Sequence, residues 1–187
     1  MIAYCIGNGP SRKNFDLSKL KNGYTYGCNA LYRDFIPNFL FCIDGEMAEE
    51  WNNAGIQNKC KVFCTRNDAI KYPGFNTIPN YKKSNLGGHQ AIMTAYYHGC
   101  RKIYLIGFDF AEFGENKLNN IYQGTQNYGV RITKEEFIKS IEWFKNFVEE
   151  KTDAEFYVVN NNPIDKVKKI HVKNLHIMTY KELENGL

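Results

Sequence analysis

Along this chain short apolar runs alternate with stretches of helical periodicity. Runs at Ile2–Ile6, Tyr24–Cys28, Phe39–Ile43, Lys61–Cys64, Lys102–Ile106, Glu155–Val159 and Leu175–Met178 have the length and the β-branched or aromatic content of strands, and a weaker one covers Phe75–Pro79. Helical stretches fall between them at Ala30–Asp34, at Gly45–Asn53, from Gly87 to a C-capping Gly99, and after Thr179. The longest helix is expected to open on a capping box of Thr133 and Glu136 and to run to Lys151, with Phe137, Ile141, Phe144 and Val148 on one face. Strands alternating with helices at this spacing predict an α/β fold, a three-layer sandwich around a mostly parallel sheet. Residues 111–132 are rich in Gly, Asn, Gln and Tyr and lack periodicity, and a stretch of that length inside a domain is expected to be a lid.

Composition agrees with one sizeable core: 187 residues, 43% hydrophobic and 15% aromatic, predict a single domain spanning 1–187. The net charge of +4 is too mild to imply nucleic-acid binding and suits a small anionic ligand. No apolar run approaches the roughly 18 residues that a membrane span needs, and no charged-then-apolar leader precedes the first strand. Of the six cysteines, Cys5, Cys28, Cys42 and Cys64 sit in apolar runs and no C-x-x-C pair occurs, which reads as reduced core thiols and a cytoplasmic location.

The chemistry is expected where strands end, because ligands of parallel sheets bind beyond the carboxyl edge. The first strand breaks into Gly7-Asn8-Gly9-Pro10-Ser11, a tight loop whose N–H groups could cradle a phosphate and whose glycines let a ligand approach the backbone. It is neither a Walker A sequence nor G-x-G-x-x-G, since Arg12 stands at the third position after Gly9. Asn29, Asp44 and Gly107-Phe108-Asp109 occupy three further strand tips, and Gly87-Gly88 opens the middle helix. A strand-end Asn or Asp can serve only to cap the next helix, so it is their joint placement that marks one crevice. His89, in the first turn of that helix, is the expected general base, kept neutral by the helix N-terminus, with Asp44 or Asp109 as its alternative. His98, His171 and His176 show no ligand spacing, and no metal site is expected.

Gly7-Asn8-Gly9-Pro10-Ser11, Asp16-Leu17-Ser18-Lys19-Leu20, Cys28-Asn29 and residues 99–110 together resemble the bacterial CMP-sialic-acid-dependent sialyltransferases that decorate lipooligosaccharide. Residues 37–44 and Gly87-Gly88 resemble equally the related motility-accessory and hydroxymethylpterin-pyrophosphokinase-like family. The resemblance implies a Rossmann-like fold. It implies that Asn8, Gly9, Pro10 and Ser11 face a nucleotide phosphate, Asn29 the phosphate or ribose, and Gly107 and Asp109 the cytidine or sugar. The chain departs from the sialyltransferases at Gly87, where they carry serine, at Ala111 and Lys117, where they carry phosphate-holding tyrosines, and across 116–136, which lacks their histidine. Tyr122, Tyr128, Lys117 and Arg131 are then the groups expected to meet the phosphate. Three readings follow. One is a CMP-sialic-acid-like glycosyltransferase without cofactor, acting on a glycan acceptor. Another is a pyrophosphoryl-transferring enzyme with Mg²⁺ on Asp44 or Asp109, and the last is a nucleotide-binding protein without catalysis. A homo-oligomer is compatible with each.

Overall fold

The computed structural model describes residues 1–79, 86–110, 120–127, 134–163 and 165–187. Its strands are β1 (Ile2–Ile6), β2 (Tyr24–Cys28), β3 (Phe39–Phe41), β4 (Lys61–Cys64), β5 (Asn76–Thr77), β6 (Lys102–Ile106), β7 (Glu155–Val159) and β8 (Leu175–Met178). The helices are α1 (Gly45–Asn53), α2 (Arg66–Lys71), α3 (Gly87–Tyr97), α4 (Lys134–Glu150), α5 (Asp165–Lys168) and α6 (Tyr180–Asn185). The strands form one sheet in the order β5-β4-β3-β2-β1-β6-β7-β8, and every pairing is parallel. Helices cover both faces, so the fold is the expected three-layer α/β sandwich.

The order explains which face each helix takes. Parallel crossovers are right-handed, so a chain stepping one way along a sheet lays its connections on one face, and reversing direction moves them to the other. From β1 to β4 the connections pack on the face of Tyr4, Ile6, Leu40 and Val62, through Leu17, Leu31, Met47 and Trp51. The chain then returns to β6 beside β1. On that return α3, and after β6 α4 and Val167 of α5, cover the opposite face, against Ala3, Cys5, Tyr26, Leu105 and Phe156. The reversal lies between β1 and β6, and the crevice of an open α/β sheet forms at such a point.

One row of rings crosses four strands. Tyr4, Tyr104, Tyr157 and His176 are in register on β1, β6, β7 and β8. They stack face to face with centroids 5.4, 5.0 and 4.9 Å apart.

Three boundaries differ from expectation for identifiable reasons. Strand β3 stops at Phe41 because Asp44 already serves as N-cap of α1. Residues 29–33 form a 3-10 turn rather than an α-helix. Helix α2 was not expected, since it buries no side chain and therefore shows no apolar period. Its cue is local: the Thr65 hydroxyl accepts from the Asp68 N–H at 3.4 Å and donates to the Asp68 carboxylate at 2.6 Å. Gly99 takes the positive φ of 86° that its C-capping role requires. The Thr133 capping box lies outside the described residues, as does Phe137's side chain, while Phe144 and Val148 of α4 are fully buried. The six cysteines are unpaired and five are buried. Among the described residues no helix is long and apolar enough to cross a membrane.

Asn174 fastens the end of α4. Its carboxamide, 5% exposed, donates to the carbonyls of Val148, Lys151 and Ala154 at 3.0, 2.9 and 2.9 Å. Asn174→Ala leaves those carbonyls short of a donor in a buried place, so we expect a loss of about 2–3 kcal/mol, read as a melting point lower by about 4–12 °C. A change within about 1 °C would show that α4 ends without it.

Candidate functional site

Two strand tips meet backbone to backbone. The Gly7 N–H donates to Ile106 O and the Gly9 N–H to Gly107 O, both at 2.8 Å. A Cβ on Gly7 would lie 2.6 Å from Gly107 O, and one on Gly9 would lie 2.5 Å from Asp109 Cγ. Gly107, at φ +69°, would bring a Cβ within 2.8 Å of Gly7 O. The glycines are therefore demanded by strand-tip packing. Gly9 has an ordinary φ of −69°, and its N–H and that of Ser11, expected to be open to an anion, are spent on protein acceptors. Pro10 opens a 3-10 turn, Pro10–Arg12, that carries the chain away from the sheet.

Asp109 fastens that turn. It accepts from the Ser11 N–H at 2.8 Å, from the Ser11 hydroxyl, and from Asn160 Nδ2 at 3.4 Å. The Tyr180 hydroxyl lies 3.2 Å from Ser11 Oγ, its pKa pushed up to about 12 by burial. Residues following β1, β6, β7 and β8 thus form one connected cluster.

Arg12, which sequence reasoning treated only as a mismatch to a motif, is the buried cation of the site at 3% exposure. Its Nε donates to Gly7 O at 2.7 Å. Its Nη2 donates to the Tyr122 hydroxyl at 2.9 Å and to Asn8 Oδ1 at 3.4 Å, and lies 3.8 Å from Asp34. Tyr122 donates in turn to Asp34 at 2.6 Å, and burial raises its pKa. Asn8 donates to Cys28 O at 3.0 Å, tying β1 to β2, and its carbonyl accepts from the Ile121 N–H at 2.9 Å.

A second arginine repeats the pattern. Arg33 pairs with Glu50 through Nε at 3.0 Å and donates to Thr125 Oγ1 at 2.7 Å and Gln126 O at 2.9 Å. Burial alone would raise the Glu50 carboxyl, but hydrogen bonds from Tyr32, Arg33 and Asn127 outweigh it and hold the pKa below the usual range. Residues 120–127, the described part of the expected lid, are therefore laced to the β1 loop and to α1. Ala111, Lys117, Tyr128 and Arg131 lie outside the described residues. Tyr122 is 6% exposed and spends its hydroxyl on Arg12 and Asp34 rather than presenting it to a phosphate.

Asn29 follows β2 in the left-handed region, φ 51°, which Asn tolerates better than most residues. Its carbonyl accepts from Trp51 Nε1 at 3.2 Å, while its side-chain Oδ1 is buried without a partner. A Cβ on Gly87 would stand 3.2 Å from that oxygen, so the first residue of α3 must be small for the helix end to approach. Gly88 is likewise closed in, by Phe108 at 2.9 Å. Leu86, the N-cap of α3, has no polar side chain to meet the first-turn N–H groups. Asp44 stands exposed before α1, and its charge and that of Asp68 both act on Cys42, which places it toward the β3 and β4 tips.

His89 is where the structure departs furthest from expectation. The imidazole is neutral, as anticipated, but the cause is burial, which pulls its pKa down to about 3. The ring is 3% exposed and stacks on Trp143 with centroids 3.9 Å apart. Nδ1 accepts from the Leu86 N–H at 3.4 Å and Nε2 lies 2.7 Å from Ser140 Oγ. It pins α3 to α4, with both nitrogens engaged. Among the described residues no three His, Cys, Asp or Glu side chains gather as a metal site.

No family model matches the chain, and no curated protein matches it by sequence. Solved structures do share its fold. An alpha-2,3/8-sialyltransferase, CstII, solved as a mutant, superposes with a TM-score of 0.56 at 17% identity, over 88% of this chain and 83% of that one. The MAf glycosyltransferase from Magnetospirillum magneticum AMB-1 gives 0.55 at 11% identity, over 93% of this chain and 35% of that one, so the present chain spans about a third of that protein. The fold is glycosyltransferase-like.

Two outcomes follow from the buried groups. In the unfolded chain His89 regains a pKa near 6.5, so below that pH the unfolded state binds a proton that the folded state refuses, and stability falls progressively from about pH 6.5 toward 3. The loss attributable to His89 is about 2 kcal/mol between pH 7 and pH 5. Urea unfolding of His89→Gln should show an acid decline shallower by that amount, whereas an identical decline would mean the ring titrates freely. Arg12→Met removes the donor from Gly7 O at a cost of about 1–3 kcal/mol and takes one partner from Tyr122. Amide exchange at residues 121–125 should accelerate about tenfold or more, and unchanged exchange would show that the segment is held elsewhere.

Proposed function

We propose that this glycosyltransferase-like chain binds a nucleotide-sugar of the CMP-sialic-acid class at the carboxyl edge of its sheet, between Asn29 and the first turn of α3, for transfer to a glycan acceptor. The observation that carries the reading is the unmet Asn29 Oδ1 beside Gly87. A buried acceptor without a partner costs about 1–3 kcal/mol, and a ligand hydroxyl such as that of a ribose would relieve it. The N-terminus of α3, where Leu86 offers no polar side chain to the first-turn N–H groups and the dipole end is positive, suits the adjoining phosphate. Asn8, Gly9, Pro10 and Ser11 serve as the frame of the site. Asp109 holds Ser11, and Gly107 allows the two tips to touch.

A second reading, binding without turnover, is favoured by the two groups expected to supply catalysis. His89 is sealed between helices, and Asp109 is occupied by Ser11 and Asn160. The pyrophosphoryl-transfer alternative requires Mg²⁺ on Asp44 or Asp109, and a preference for a metal-dependent triphosphate over CMP would favour it.

Asn29→Gly removes the amide and suits the positive φ, so it separates binding from folding. We expect calorimetric affinity for CMP to fall about 5- to 150-fold with the melting point held or raised. Undiminished affinity would take Asn29 out of the site. Incubation with CMP-sialic acid and a galactoside then decides between the two readings, by sialylated product for transfer and by its absence despite tight binding for the second. Brisk transfer abolished by His89→Gln, with the fold retained, would restore that histidine as the base.

A further inference from the structure

Gln90 is 1% exposed in the second turn of α3, and its side-chain Nε2 is buried without a hydrogen-bond partner. It lies three residues beyond Gly87, hence on the same helix face, and helical side chains lean back over the turn that precedes them. That turn is the start of α3, where Leu86 has no polar side chain, Gly87 contributes none, and the unmet Asn29 Oδ1 stands 3.2 Å from the Gly87 Cβ position. An unmet donor and an unmet acceptor therefore flank one helix N-terminus. An unpaired buried amide is destabilising, and an apolar side chain of similar length would serve packing better.

We propose that Gln90 is a specificity-determining residue of this site, its Nε2–H donating to an anionic oxygen of the ligand held at the α3 N-terminus. The inference rests on the nucleotide-sugar reading and extends it: the ligand presents a hydroxyl toward Asn29 and an oxyanion toward Gln90. In that class the oxyanion is either the nucleotide phosphate or the carboxylate of the sugar acid.

Gln90→Met keeps length and removes the amide. The expected result has two opposite signs: a higher melting point for the free protein, and about tenfold weaker ligand binding. If binding of CMP weakens while that of cytidine does not, the phosphate is the partner. If CMP is unaffected and CMP-sialic acid and free sialic acid weaken, it is the carboxylate. A lower melting point for Gln90→Met, or unchanged affinity for all four compounds, overturns the proposal. Should the wild-type protein bind no cytidine ligand, the nucleotide-sugar reading falls by itself. Inorganic phosphate and pyruvate then decide the role of Gln90: weakening of either by Gln90→Met upholds it, and binding of neither to the wild type ends it.

Discussion

The contact on which the site depends is the one between Gly7 and Gly107, where two strand ends leave the sheet so close together that neither has room for a β-carbon. Adjacent parallel strands lie about 4.8 Å apart, and their following loops ordinarily diverge. Here they stay joined for two further residues, through the Gly9 N–H and Gly107 O. That junction gives Arg12 a carbonyl to hold at Gly7 and brings Asp109 beneath Ser11. Remove the junction and the buried cation, the serine turn and the segment at 120–127 lose a common foundation.

Much of the fold was legible because the signals were strong and local. Lys61–Cys64, Lys102–Ile106, Glu155–Val159 and Leu175–Met178 form strands at the bounds their apolar runs suggested, and in Lys102–Ile106 the run is continuous because the strand is buried on both faces beyond Lys102. Helix α2 escaped because it buries nothing, and the 3-10 turn after Cys28 because five residues are too few to show a period. The site was expected at the strand tips. What could not be read were their partners, since contacts such as Ser11 with Asp109 or His89 with Ser140 span long stretches of sequence and depend on which helix lands on which face. His89 shows the limit well: a first-turn histidine looks solvent-facing until α4 is laid over it.

The polar inventory of the site divides into groups that hold each other and groups that hold nothing. Asn8, Ser11, Arg12, Asp109 and Tyr122 belong to the first and form a closed framework. The side-chain Oδ1 of Asn29, which faces Gly87, and Nε2 of Gln90, in the first four residues of α3, belong to the second. Framework groups sit beside β1 and β6, whereas the Asn29 oxygen meets the Gly87 end of α3 toward β2 and β3, with Cys28 and Phe41 lining the same spot. Such a division separates rigidity from recognition, because a satisfied network resists deformation while an unsatisfied pair invites a third party.

The tyrosine row across β1, β6, β7 and β8 acts as a datum line for this edge. Tyr4, Tyr104, Tyr157 and His176 share one register, and three residues beyond each of them come Gly7, Gly107, Asn160 and Thr179. Four chains counted off from a common baseline must therefore arrive level. A slip of one residue in any strand would break the stack and turn that strand's side chains to the opposite face. The row thus transmits a measurement: rings stacked in the body of the sheet decide, three residues away, that Gly7, Gly107, Asn160 and Thr179 reach the rim level with one another.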